Sequence, residues 1–172
     1  MDLTNNTVDG RFKIDRKIGK GSFGDVYIGQ DIVKKHLVAI KAAPNDDPQK
    51  RNILHHEHEI YMELTKSKRS PLAPNVYWYG QNDTQSHSLI VMKYLGNSLE
   101  YLLHNNCAGK FSLKTTLMIA IQIFDLLKRL HSCNYVHRDI KPDNFLIGVG
   151  PEKSKIFVID FGLAKRYKSV QN

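Results

Sequence analysis

The sequence predicts an α+β fold with a β-rich first half and a helical second part. Three observations lead there. Apolar runs of strand length, several alternating with polar residues, recur from Phe12 to Met92, and one helical stripe interrupts them between about Gln49 and Thr65. A nearly all-apolar stretch from Ser112 to about His131 reads as a long helix buried on all sides. Between the two, Lys93-Tyr94-Leu95-Gly96-Asn97 leaves the last strand with a glycine, as a hinge between two lobes would. The expected organisation is a flexible tail at 1–10 and a small lobe at 11–92 with a five-stranded sheet and one helix. A hinge follows at 93–97, and part of a larger helical lobe at 98–172.

Length and composition narrow the functions. The 172 residues carry a formal charge of +8 and 41% hydrophobic residues, enough for one domain or two small lobes with a real core. Only Cys107 and Cys133 are present, which argues against a disulfide scaffold or a zinc site and fits a reducing compartment. Residues 1–10 do not read as a signal peptide, and no apolar run is long enough for a membrane span. An intracellular protein, cytoplasmic or nuclear, is expected. Lys and Arg are scattered and accompany no nucleic-acid motif, so nucleic acid is not the expected main partner. The charge suits an acidic ligand or substrate better.

Along the chain, Phe12, Ile14 and Ile18 alternate with charged residues as in a half-buried strand. Gly19-Lys20-Gly21-Ser22-Phe23-Gly24-Asp25-Val26 follows, a G-x-G-x-x-G-x-V. Alone, that pattern fits a dinucleotide fingerprint, a phosphate-covering hairpin or a plain turn. Val26-Tyr27-Ile28 is strand-like, and a dinucleotide loop would lead into a helix, so the phosphate-covering hairpin is favoured. In the third strand, Leu37 to Lys41, Val38 and Ile40 share one face and Ala39 and Lys41 the other. A small residue beside a lysine suits a nucleotide-lining face. In the helix, Ile53, Glu57, Ile60 and Leu64 form one stripe, whereas Glu59 sits about 240° from Ile53. A glutamate in an apolar stripe needs a cation, and Lys41 is the candidate. His55, His56 and His58 lack a completing metal-ligand set and read as a solvated face. Val76 to Tyr79 and Leu89 to Met92 are further strands, and Ser98 or Asn97 caps a short helix.

The richest stretch is His137-Arg138-Asp139-Ile140-Lys141-Pro142-Asp143-Asn144, an H-R-D-x-K-x-x-N. Such a loop uses Asp139 to accept or orient a substrate hydroxyl proton, Lys141 to neutralise a transferring phosphoryl group, and Asn144 to hold magnesium. Short strands at Phe145-Leu146-Ile147 and Ile156 to Ile159 follow, the second ending in Asp160-Phe161-Gly162.

Taken together, the markers resemble the eukaryotic protein kinase family: Gly19/Gly21/Gly24/Val26, Val38-Ala39-Ile40-Lys41, Glu57, His137-Arg138-Asp139 with Asn144, and Asp160-Phe161-Gly162. Arg16-Lys17-Ile18-Gly19, Leu95-Gly96 with Ser98-Leu99-Glu100, Phe111 to Thr115, Asp143 to Leu146 and Gly162 to Lys165 are similar to its casein kinase one group. The resemblance runs from Arg11 to about Lys168. It implies a kinase-like bilobal fold with a complete small lobe, ATP and magnesium as cofactors, and serine/threonine protein substrates that are acidic or already phosphorylated. It further implies that Gly19 to Gly24 cover the phosphates and that Lys41 holds them, itself held by Glu57. Ile18, Val26, Ala39, Leu146 and Ile159 would sandwich adenine, Met92 would guard the pocket behind it, and the backbone of Lys93 and Leu95 would bond its edge. Asn144 and Asp160 would bind magnesium, with Asp139 serving the acceptor.

Two departures stand out. Lys93-Tyr94 replaces the group's usual acidic residue and leucine, and the linker before Glu57 is a few residues longer than the group's usual length. The sequence also stops ten residues after Gly162, short of the family's substrate-binding helices. The expectation is therefore a serine/threonine kinase sequence whose isolated 172 residues are poorly folded and silent. The alternative is an inactive nucleotide- or partner-binding fragment.

Overall fold

The computed structural model describes residues 2–21, 24–66, 72–107 and 109–167. These group into two compact units, Met1–Met62 with Asn75–Tyr94, and Glu63–Pro74 with Leu95–Asn172. The architecture is α+β, a β-rich unit and the beginning of a helical one.

The first unit is built on an antiparallel six-stranded sheet. Its strands are β1 (Thr7–Val8), β2 (Phe12–Gly21), β3 (Gly24–Asp31), β4 (His36–Pro44), β5 (Val76–Gln81) and β6 (His87–Lys93). They lie in the order β1-β2-β3-β4-β6-β5. The pleat sorts the side chains: Phe12, Ile14, Tyr27, Val38, Ile40, Leu89 and Val91 enter one core, each nearly inaccessible to water. Five strands and a loose tail were expected from the sequence, and here the structure differs. Thr7 and Val8 pair with Lys13 and Phe12 as a sixth strand, and Leu3 and Val8 join that core. Two isolated apolar residues in a polar stretch show no period, yet their burial outweighs local polarity. The β2–β3 hairpin needs Gly24, because a Cβ there would lie 2.1 Å from the Ala42 carbonyl oxygen.

Helix α1 (Pro48–Lys66) starts where Pro48 follows Asp47, whose carboxylate accepts from the Lys50 amide at 3.1 Å. Its length to Met62 belongs to the first unit, and its last turn, from Glu63, to the second. Leu54, Glu57, Ile60, Tyr61 and Leu64 are its buried side chains.

The second unit holds α2 (Leu99–Asn105), α3 (Leu113–Ser132) and two small antiparallel ladders. One pairs β7 (Tyr135–Val136) with β10 (Lys165–Arg166), the other β8 (Phe145–Ile147) with β9 (Ile156–Val158). Ser98 and Ser112 cap the two helices, each hydroxyl accepting an amide three residues on at 3.1 Å. Gly96 passes so close to β8 that a Cβ would lie 3.0 Å from Ile147. Its amide bonds the Ile147 carbonyl at 2.8 Å. Helix α3 is apolar nearly all round, as expected, and the 172 residues cover only part of it. It packs on β7 and β9 and buries Leu126 and Leu130, but it is not covered on all sides. Leu113, Leu117, Met118, Ile121 and Phe124 are 54–77% exposed. An all-apolar helix needs neighbours on every side, and two short strands cover only one. Among the described residues, no helix is long and apolar enough to cross a membrane.

Candidate active site

In the first unit, strand register brings one set of candidate residues together. Gly19 pairs with Val26 across β2–β3, and Val26 with Lys41 across β3–β4, so the three stand in line on neighbouring strands. Ala39 pairs with Met92 across β4–β6. Val38 and Ile40 point into the core, so alternation puts Ala39 and Lys41 on the opposite face. Gly21 and Gly24 pair at the tip of the hairpin, next to the Lys20–Asp25 pair. Ser22 and Phe23 lie outside the described residues. An ion pair, Lys17 Nζ to Asp25 Oδ2 at 2.6 Å, ties the two strands just below that tip. Ile18 is 44% exposed and Met92 buried, while Lys93 ends β6 partly covered.

Lys41 Nζ donates to Glu57 Oε2 at 2.6 Å, with side-chain exposures of 10% and 1%. Glu59, the rival, is 63% exposed and faces His55 at 3.7 Å. The apolar stripe on α1 places Glu57 under the sheet, where two buried charges compensate each other.

The second unit holds a cluster of its own. Lys141 Nζ, at 2.8 Å, and Asn144 Nδ2, at 2.9 Å, both donate to Asp139 Oδ2. Asn144 also bonds the Asp139 carbonyl at 2.8 Å. Lys141 first, then Asn144, hold the Asp139 carboxyl below its ordinary value, against the opposing effect of partial burial. Lys141 is raised in turn, chiefly by Asp139. The loop is braced from behind by His137, which is buried. Its Nδ1 accepts the Asp139 amide at 3.3 Å, so Nε2 carries the proton and donates to the Ile159 carbonyl at 2.9 Å. Burial lowers the imidazole's pKa, consistent with this neutral tautomer. The ring also packs on Phe161, with centroids 5.1 Å apart.

Asp160 is brought beside this loop by the backbone. The Ile159 amide donates to the Asn144 carbonyl at 3.0 Å, and Asp160 turns left-handed at φ 65°. Non-glycine residues hold that conformation only where their surroundings enforce it, and such positions cluster at functional sites. The donor set fits a hard divalent cation. Asn144 spends its amide hydrogens on Asp139, which leaves its side-chain carbonyl oxygen as an acceptor, and Asp160 supplies a carboxylate one residue after Ile159, whose amide bonds the Asn144 backbone. Oxygen ligands of this kind, few and completed by phosphate and water, are what magnesium takes. Among the described residues, no group of three or more His, Cys, Asp or Glu could hold a metal. In α1, His58 instead stacks on Tyr79, with centroids 4.2 Å apart and planes 11° from parallel.

Of the other adenine-lining residues expected, Leu95 is buried, and Leu146 and Ile159 are partly buried on and just after the β8–β9 ladder. One side-chain constellation was not anticipated. Tyr135 donates its hydroxyl to Glu63, and Arg166 bonds both Glu63 and, at 3.0 Å, the Tyr135 hydroxyl. The only sequence signals were a tyrosine two residues before His137 and an arginine in a run of scattered basic residues.

A glycine hairpin, a buried Lys–Glu pair, and a carboxylate oriented by a lysine and an asparagine beside a left-handed aspartate define an α+β protein of the phosphotransferase kind. A family model described as the protein kinase domain matches residues 12–172. The chain belongs to the protein kinase family, whose members in general use ATP and a divalent metal to modify protein substrates.

Proposed function

We propose that this protein is an ATP- and magnesium-dependent serine/threonine kinase of casein kinase one type. One observation carries the catalytic part. Lys141 and Asn144 converge on a single oxygen of Asp139, so Oδ1 remains for the hydroxyl of an acceptor side chain. Held ionised, Asp139 takes or orients the acceptor proton, and Lys141 stands next to it to offset charge on the transferred group. Glu57 fixes Lys41 for the nucleotide phosphates, while Asn144 and Asp160 hold magnesium. Bound ATP and magnesium supply the phosphoryl group and the neutralising charge. Lys141, two residues after Asp139, and the casein-kinase-one-like motifs support serine/threonine acceptors and acidic or pre-phosphorylated substrates. Ile18, Gly19 to Gly24, Val26, Ala39, Met92, Lys93, Leu95, Leu146 and Ile159 are the proposed nucleotide contacts.

A second reading is a non-catalytic nucleotide- or partner-binding protein, and the exposed apolar face of α3 favours it. Transfer of labelled phosphate to an acidic, serine-containing protein separates the two. The kinase reading expects metal-dependent transfer that falls about 10²–10⁴-fold in Asp139→Asn, with ATP affinity nearly unchanged. A variant keeping more than about a tenth of wild-type kcat would refute the role of Asp139.

A further inference from the structure

We infer that Glu63, Tyr135 and Arg166 are positioning residues: they clamp β10 and thereby fix the backbone that carries Asp160. The inference rests on the kinase reading for the importance of Asp160, and on geometry for the clamp.

Three elements far apart in sequence meet there: the last turn of α1, β7 just before the His137 loop, and β10 just after the Asp160 segment. Their polar atoms bond one another. The Tyr135 hydroxyl donates to one carboxylate oxygen of Glu63 and accepts from Arg166, whose guanidinium donates to the other oxygen. The guanidinium also lies over the Tyr135 ring, 4.9 Å from its centroid. Burial first, then Glu63, raise the phenol's pKa, so the hydroxyl stays a donor at neutral pH.

The clamp acts on a short segment. β10 is two residues long and, among the described residues, pairs with β7, Lys165 opposite Val136 and Arg166 opposite Tyr135. Upstream, the Asp160 turn is fixed by bonds to its neighbours, His137 to the Ile159 carbonyl and the Ile159 amide to the Asn144 carbonyl. Downstream, Arg138 reaches the Leu163 carbonyl at 2.6 Å, and the Tyr167 amide bonds the Asn134 carbonyl at 3.0 Å. A left-handed aspartate persists only if both sides are anchored. The clamp is a side-chain part of the downstream anchor. As an isolated ion pair, Glu63–Arg166, with exposures of 42% and 32%, would contribute little to global stability. Its effect is local: it sets where a short strand sits.

The test compares Arg166→Met, Glu63→Gln, Tyr135→Phe and the charge swap Glu63→Arg/Arg166→Glu with wild type. Amide hydrogen exchange of Lys165, Arg166 and Tyr167 is followed, together with ATP binding with and without magnesium chloride, and kcat. Arg166→Met and Glu63→Gln are expected to exchange about tenfold faster at these amides while the global melting temperature holds. They lose most of the magnesium-dependent gain in ATP affinity, keep the magnesium-free affinity, and lose about ten- to a hundredfold in kcat. Tyr135→Phe keeps the ring and shows a smaller effect of the same kind, and the swap recovers part of both losses. Unchanged exchange in all variants overturns the clamp. Faster exchange with unaltered metal-dependent binding overturns its role in placing Asp160, and a swap no better than the single variants overturns the pairing. A wild-type protein that binds no ATP refutes the kinase reading and, with it, the positioning role. The exchange data then decide whether the clamp itself exists.

Discussion

Replacing Glu57 should separate stability from activity in a way that few other positions would. Glu57 is 1% exposed, and its partner Lys41 reaches it at 2.6 Å. Glu57→Leu leaves an ammonium under the sheet without its carboxylate, and breaking a buried pair from one side costs about 3–5 kcal/mol. Glu57→Gln still accepts a hydrogen bond, so its cost is nearer the ~1.5–3 kcal/mol of a charge-assisted bond. The double variant Lys41→Met/Glu57→Leu removes both charges and fills the space with apolar atoms, which is often neutral or stabilising. Against a net stability of ~5–15 kcal/mol, the Leu variant should lose a large share of the folding free energy. The double variant should melt near wild type. Both should lack phosphotransfer, since the proposed phosphate ligand Lys41 is displaced or gone. Glu59→Gln, on a side chain 63% exposed, should change neither property. Urea unfolding with a phosphotransfer assay checks all four variants. If the double variant were as unstable as Glu57→Leu, the reasoning from unpaired charge would be wrong. If Glu59→Gln were the damaging change, the helix register would be.

Asp160→Asn is expected to reduce the enhancement of ATP binding by magnesium about ten- to a hundredfold, measured by calorimetric titration with and without the metal. An unchanged enhancement would remove Asp160 from the metal site. The Asp139 carboxyl sits below its unfolded value of about 3.9, so its contribution to stability is complete above that pH and lost as pH falls through the folded value. The acid limb of kcat/KM should therefore lie below about pH 4 and move upward in Lys141→Met, because Lys141 is the main cause of the depression. An acid limb that stays put in Lys141→Met would contradict that cause. Ile121→Lys/Phe124→Lys, at side chains 71% and 72% exposed, should leave unfolding within about 0.5 kcal/mol of wild type and reduce self-association in light scattering. A loss above about 2 kcal/mol would mean that this face is covered in solution.

Much of the arrangement was legible because local rules agreed with the tertiary result. The strand parity of β4 separated Val38 and Ile40 from Ala39 and Lys41, and the α1 stripe selected Glu57 over Glu59. Ser98 and Ser112 marked their helix starts through the ordinary chemistry of caps. Other features left no local trace. Leu3 and Val8 show no period, yet both are buried. The β7–β10 ladder is two residues long, below any useful pattern length. Glu63 lies 72 residues from Tyr135 and 103 from Arg166, and only tertiary folding reveals that they meet.

The burial of the N-terminal arm has a kinetic consequence during synthesis. Leu3 and Val8 share their core with Leu89 and Val91, which leave the ribosome about ninety residues later. At roughly 5–20 residues per second, the arm waits on the order of 4–18 s before its last partners exist. Throughout that interval its apolar side chains have only an unfinished sheet to meet, and closing so long a loop is a late step. Docking of the arm should therefore trail formation of the β2–β3–β4 meander. A bulky tag fused just ahead of Leu3 should slow the final consolidation of the sheet more than it alters the finished fold.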